Sequence, residues 1–301
     1  MYNLQAYFEI RDSLVNFLGQ DVGMGDLTSE IVLPPDLCAH AGITCKSDKL
    51  AIVAGLEEAG ILFDICNCRT QTLVGDGCHV QNGNIVMNIS GRAHAILKAE
   101  RTALNLIMRM SGIATETRRL VDMVGKVDRS IKVACTRKTA PGLRSFDKKA
   151  VVLGGGMAHR NKLDEMVLIK DNHLVLARSI EQAIGQARKK MNGSSLLECE
   201  VKNLAEMVSA IKAGSDIIML DNFSLDQAKA AMAEIKKIGG GKRIKVEISG
   251  GIGPHNITDY AKLHPDIISL GYLTHSPTAI DFSLEIKKNG LEYLPSNSFK
   301  K

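Results

Sequence analysis

The stretch IKVACTRKTAPGLR at 131–144 decides the fold class. A short, largely apolar run of strand character opens directly into a basic loop that holds a Pro-Gly turn. Similar apolar runs recur downstream: MVLI at 166–169, LECEV at 197–201, IIML at 217–220, IKVEI at 244–248 and IISL at 267–270. Between them lie amphipathic helical patterns such as SIEQAIGQARKKM, NLAEMVSAIKAG and SLDQAKAAMAEIKKIG. Strand–helix alternation with short turns predicts a parallel sheet. Repeated this often with no second sheet edge, it predicts a closed or nearly closed α/β barrel, incomplete because fewer than eight strands are clear.

Upstream the rhythm differs, and the two styles meet near residue 115. LQAYFEIRDSLVNFL reads as a helix and GQDVGMGDLTS as a glycine-rich turn. Strands are expected at 40–46, 50–54 and 84–90, with a short helix near 56–65. RAHAILKAERTALNLIMRMSGIAT at 92–115 has apolar residues at helical spacing and predicts a long, largely buried helix. The chain thus divides into a first domain over 1–115 and a barrel domain over 116–277.

Composition narrows the function. The 301 residues are 45% apolar and 24% charged, with a net charge of +5, which is ordinary for a globular protein. So small an excess, with acids and bases interspersed and aromatics at 4%, argues against a nucleic-acid partner. No apolar run approaches the roughly 20 residues of a membrane span, and MYNLQAYFEIRDSL lacks the apolar core of a signal peptide. Seven cysteines without a CxxC pair read as reduced thiols, so a cytoplasmic protein is expected. Cys66, Cys68, Cys78 and His79 fit no standard zinc spacing.

The ends of the expected strands carry the chemistry. Arg137 and Lys138 follow the first strand, Lys170 the second, Glu200 lies on the third and Asp221 ends the fourth. Ser249, Gly250 and Gly251 follow the fifth and Gly271 the sixth. In parallel barrels this face holds the reacting groups, with phosphate bound by glycine loops after the last strands. Clustered Arg and Lys suit small polyanions, because charge-assisted bonds recover the desolvation cost of carboxylates and phosphates. A solvated basic loop is the plain alternative for TRKTAPGLR, and Arg144 within it is open to a structural role. His159 and Arg160 in GGGMAHR read as an anion-facing pair, while the three glycines fit neither a dinucleotide nor a Walker pattern. A Lys at the end of a buried strand has a poor structural excuse, which marks Lys170, whereas Asp171, Asn172 and His173 shape the turn after it. Glu198 and Glu200 share one strand face. Glu200 and Asp221 are either salt-bridge partners of nearby lysines or acceptors for sugar hydroxyls or pyrophosphate-bound magnesium. Ser249 to Gly251 and Gly271 can form anion nests. Arg101, on the long helix, is on residue type alone an ordinary surface charge.

AERTALNLIMRMSGIAT, TRKTAPGLR, GGGMAHR, MVLIKDNH, ECEV, IIMLDN and VEISGGI, in this order and spacing, resemble the quinolinate phosphoribosyltransferases, from GDLTS at 25–29 to DFSLEI at 281–286. The resemblance implies a type II phosphoribosyltransferase fold, an N-terminal α/β sandwich and an open, incomplete α/β barrel, with the tail 278–301 returning to the first domain. It implies transfer of phosphoribose from phosphoribosyl pyrophosphate to quinolinate with Mg2+, giving nicotinate mononucleotide, pyrophosphate and carbon dioxide. Arg101, Arg137, Lys138, His159, Arg160 and Lys170 then resemble the quinolinate and pyrophosphate cradle, with Lys138, Lys170, Glu200 and Asp221 catalytic. Glu200 and Asp221 are similar to the acids beside ribose and metal, the latter held directly or through substrate or water. Ser249, Gly250, Gly251 and Gly271 resemble the 5-phosphate loop. The family implies a homodimer at least, with Arg101 reaching the neighbouring subunit's site. Two departures stand out: Cys135 where many relatives have Asp, and Lys162-Leu163 where many have Gly-Leu. A molybdenum-transport-associated relative and a catalytically silent anion binder are the competing readings, and the intact LIKDNH favours quinolinate chemistry.

Overall fold

A computed structural model describes residues 4–191, 195–238, 244–287 and 292–293. The chain begins with α1 (Leu4–Val22), α2 (Leu27–Val32), β1 (Leu37–Cys45), β2 (Ala51–Ile52), α3 (Leu56–Ile65), β3 (Arg69–Thr72), β4 (His79–Val80), β5 (Ile85–Arg92) and α4 (Ala93–Gly125). Next come β6 (Lys132–Cys135), α5 (Arg144–Leu153), β7 (Val167–Ile169), α6 (Asp171–Leu176), α7 (Ile180–Lys190), β8 (Leu197–Val201), α8 (Leu204–Ala213), β9 (Ile217–Asp221) and α9 (Leu225–Ile238). The last elements are β10 (Lys245–Ser249), α10 (Ile257–Ala261), β11 (Ile267–Leu270), α11 (Tyr272–His275), β12 (Phe282–Ile286) and β13 (Glu292–Tyr293). Two compact units result, one of residues 1–115 with 277–301 and one of residues 116–276, so the division falls inside α4.

The first unit is built on an antiparallel sheet ordered β12-β1-β5-β3, with β13 also paired to β1. Of the expected tail 278–301, residues 278–287 and 292–293 are described and the rest lies outside the described residues. β3 (RTQT) escapes sequence reading because all four residues are exposed, leaving no apolar alternation to betray a strand. Helix α4 closes the unit's core with Ile96, Leu104 and Ile107. Its Ser111 and Thr115 hydroxyls accept from the amides of Ala54 and Ile52 at 3.0 and 2.8 Å, satisfying buried backbone. The helix outruns its expected end by ten residues. Buried Leu120 and Val124 continue the apolar stripe, and the pairs Glu116–Arg119 and Arg118–Asp122 sit at helical spacing.

The second unit is a parallel six-stranded sheet ordered β6-β11-β10-β9-β8-β7. Its strands are buried along almost their whole length, as befits a sheet covered by helices. The barrel does not close: among the described residues no ladder joins β6 to β7. The cause is local, since Met157 docks on the outer edge of β6, giving its amide to Val133 and accepting from Cys135 at 2.8 and 3.1 Å. That edge is therefore already bonded. The turn expected at Asp171–His173 is instead the first turn of α6, where His173 Nδ1 accepts from the Lys170 amide at 2.9 Å. No helix among the described residues is long and apolar enough to cross a membrane.

Candidate active site at the strand ends

A cavity of about 280 Å³ opens at the carboxyl ends of the parallel strands. Eight residues singled out in the sequence line it: Arg137, Lys138, His159, Arg160, Lys170, Glu200, Asp221 and Ser249. Strand geometry brings six of them together, each at or just beyond the end of a strand in one parallel sheet, while His159 and Arg160 arrive on the segment between α5 and β7, whose Met157 docks on β6. Arg101 is exposed on α4, in the other unit. Gly250, Gly251 and Gly271 do not line the cavity itself; Gly271 and Gly250 make close approaches beside it, while Gly251 has open space around it. A β-carbon at Gly271 would lie 2.9 Å from Lys138 Cδ, so the glycine lets the Lys138 chain pass over the start of α11. Thr274 donates to the Lys138 carbonyl at 2.9 Å, holding the same loop from below. Gly250 has φ +90° and approaches Asn222 so closely that a side chain there would strike its carboxamide and backbone.

Four cations converge here. The Arg137 Nε is buried with no hydrogen-bond partner among the described residues, a costly state unless an anion completes it. Arg160 is 9% exposed and donates one Nη to the Met166 carbonyl at 3.2 Å. Burial, with Arg137 alongside, pushes its guanidinium below the usual range. Lys170 is not the interior ammonium its strand position suggests: its side chain is 44% exposed, and Nζ reaches Glu200 at 3.3 Å. Arg144 takes the structural alternative, tying Thr139 Oγ1 and the Asn161 carbonyl at 3.3 and 3.4 Å.

Beneath the cations lies an acidic layer that the sequence only half reveals. His159 Nε2 is 3.1 Å from Glu247 and 3.6 Å from Glu198, both fully buried. His159 Nδ1 accepts the Arg160 amide at 2.9 Å, so the ring proton sits on Nε2 and points at Glu247. The imidazole therefore lines the cavity with both nitrogens already engaged, and Arg160 alone of the pair keeps N–H groups for a ligand. Burial, reinforced by the nearby Glu247 carboxylate, holds the Glu198 acid well above its ordinary range. Glu198 and Glu247 come from alternate strands β8 and β10, the arrangement of a barrel layer. Glu247 was legible in principle: it lies two residues before Ser249, hence on the same strand face.

His159, Glu198 and Glu247 lie within 4.8 Å of one another, a spacing a metal would accept, although the proton on His159 Nε2 leaves that nitrogen no lone pair for one. The carboxylates expected to take magnesium, Glu200 and Asp221, end neighbouring strands and line the cavity. Asp221 accepts from the Asn222 side chain at 2.7 Å. Their oxygen donors suit a hard ion, but two carboxylates fill only part of its coordination shell.

The chain matches known proteins over most of its length. Residues 26–111 match the family described as quinolinate phosphoribosyl transferase, N-terminal domain, and residues 113–285 its C-terminal domain. An Archaeoglobus fulgidus protein named probable nicotinate-nucleotide pyrophosphorylase (carboxylating) is 40% identical over 262 residues, covering 87% of this chain and 98% of that one. The Homo sapiens nicotinate-nucleotide pyrophosphorylase (carboxylating) is 34% identical over 248 residues, 82% of each. The solved nicotinate-nucleotide pyrophosphorylase of Francisella tularensis superposes with a TM-score of 0.84 at 33% identity, over 92% of this chain and 96% of its own. With both halves of the chain matched in order, and the matched region carrying the cationic strand ends, the protein belongs to the quinolinate phosphoribosyltransferase family.

Proposed function

We infer that the protein transfers phosphoribose from phosphoribosyl pyrophosphate to quinolinate with decarboxylation, yielding nicotinate mononucleotide, pyrophosphate and carbon dioxide for NAD biosynthesis. It is a carboxylating nicotinate-nucleotide pyrophosphorylase, a pentosyltransferase. One observation carries the reading at the level of chemistry: a cluster of four cations around one cavity, in which the buried Nε of Arg137 has no hydrogen-bond partner among the described residues. A dianionic pyridine satisfies it, and Arg160 supplies a second guanidinium for the other carboxylate.

Pyrophosphate leaves the anomeric carbon as the ring nitrogen attacks, and the sugar gains oxocarbenium character. Glu200 and Asp221 hold the sugar hydroxyls and face that developing charge. Lys138 and Lys170 receive the leaving group's negative charge, and Ser249, Gly250, Gly251 and Gly271 hold the 5-phosphate. Bound magnesium would neutralise pyrophosphate; Glu200 and Asp221 would hold it, with substrate and water completing the shell. Fixing both ring carboxylates orients the nitrogen, so positioning supplies much of the rate. In the second step the quaternised ring accepts the electrons released with carbon dioxide. The active form is a homodimer, in which Arg101 of one copy completes the cradle of the other, and it works in the cytoplasm.

The test is incubation with quinolinate and phosphoribosyl pyrophosphate, following carbon dioxide release with and without magnesium. Release that requires both substrates and the metal supports the reading. No release, or equal turnover of nicotinate in place of quinolinate, defeats it.

A further inference from the structure

Lys148 carries none of the roles above, and nothing in the sequence pattern marks it. It lies on α5 at 2% exposure, a place where an apolar side chain would ordinarily pack. Its ammonium donates to the carbonyl of Ala158 and, at 2.7 Å, to the carbonyl of Arg160. The Cys135 thiol also donates to the Ala158 carbonyl, at 3.3 Å. Between the two carbonyls stands His159, whose φ of +53° puts it in the left-handed region. That region is disfavoured for a residue bearing a β-carbon. The left-handed residue turns successive peptide planes so that both carbonyls meet one donor. It also lets the Arg160 amide reach His159 Nδ1.

Burying an ammonium costs several kcal/mol before any partner is counted, and burial pushes the Lys148 pKa down. A cation is kept there at that cost, beside the Cys135 thiol, and both of its carbonyl bonds go to the short segment that presents Arg160 to the cavity. From the other side Glu247 takes the His159 ring. The turn is thus held between a cation behind it and an anion beneath it.

We propose that Lys148 is a positioning residue, holding the 158–160 turn in the left-handed form that aims Arg160 at a carboxylate of the bound pyridine. The proposal rests on reading the cavity as the quinolinate site. It assigns Lys148 to the affinity for the dicarboxylate and not to the sugar or pyrophosphate side.

The experiment compares Lys148→Met, Lys148→Gln and Lys148→Arg with wild type in the full-length enzyme. Quinolinate binding is measured alone by calorimetry, KM for each substrate by steady-state kinetics, and the thermal midpoint by circular dichroism. Losing two charged bonds should weaken quinolinate binding in Lys148→Met by about 10- to 100-fold, with Lys148→Gln between and Lys148→Arg within about fivefold of wild type. The KM for phosphoribosyl pyrophosphate should stay within about twofold throughout. Losses that track the thermal midpoint and not the number of donors, or that fall equally on both substrates, overturn the proposal. So does collapse of all three variants, which would assign Lys148 to folding alone. Wild-type protein that fails to bind quinolinate sinks the underlying reading as well, and that outcome is separately visible.

Discussion

At the scale of single residues, the cavity is a set of unfinished bonds. Arg137→Ala should raise the quinolinate KM and lower kcat/KM by two or more powers of ten, about 3 kcal/mol, in steady-state assays. Near-native kinetics would remove Arg137 from the cradle. Gly271→Ala should displace the Lys138 chain and lower kcat/KM by about tenfold with little change in thermal midpoint, because the added methyl meets a movable side chain. Glu198 gives a pH signature. Its acid is raised in the folded protein to about 9, so its contribution is complete below the ordinary carboxylate range and is lost as pH rises toward that value. Glu198→Gln, measured in magnesium-free buffer, should therefore gain thermal midpoint relative to wild type steadily from pH about 5 to about 9. A difference that is flat or shrinks with pH would show that the carboxyl ionises freely. Residue type and strand-end position were enough to anticipate that Arg137, Lys138, Lys170 and Asp221 line one cavity. They place His159 there too but do not reveal its ring direction, which depends on Glu247, 88 residues away.

At the scale of elements, the parallel strands were readable because buried strands are continuous apolar runs. β3 and the last ten residues of α4 were not: one is wholly exposed, and the other holds charged pairs that look like a loop until their helical spacing is counted. Within the first unit, Gly112 on α4 lies against the carbonyl of Thr278, where a β-carbon would collide with backbone. Ile280 donates its amide to the Met108 carbonyl at 3.0 Å just beyond. Gly112→Ala should accordingly destabilise the protein by about 1–3 kcal/mol, read as a lowered denaturation midpoint, since backbone yields less than a side chain tip. An unchanged midpoint would mean that the returning segment is loosely held.

At the scale of the whole molecule, all seven cysteines are free thiols, graded by burial. Burial pushes Cys68 and Cys199 up to about 12, while Cys78 is exposed. Iodoacetamide at neutral pH should therefore modify Cys78 first and leave Cys199 untouched until denaturant is added, as peptide mass mapping would show. Early labelling of Cys199 would mean that the second unit opens readily. That the barrel stays open was legible in the count of fewer than eight strands and in the family resemblance, but its local cause, Met157 occupying an edge of β6, was not, because no local pattern announces it.

The order β6-β11-β10-β9-β8-β7 has a temporal implication. Among the described residues β11 is the one ladder neighbour of β6, and it is synthesised more than 130 residues later. Until residue 267 is made, β6 and the loop after it that carries Arg137 and Lys138 have only the segment around Met157 bonded beside them, so the anion trap cannot assemble piecemeal. Competence to bind should switch on abruptly, once β11 has been made and paired.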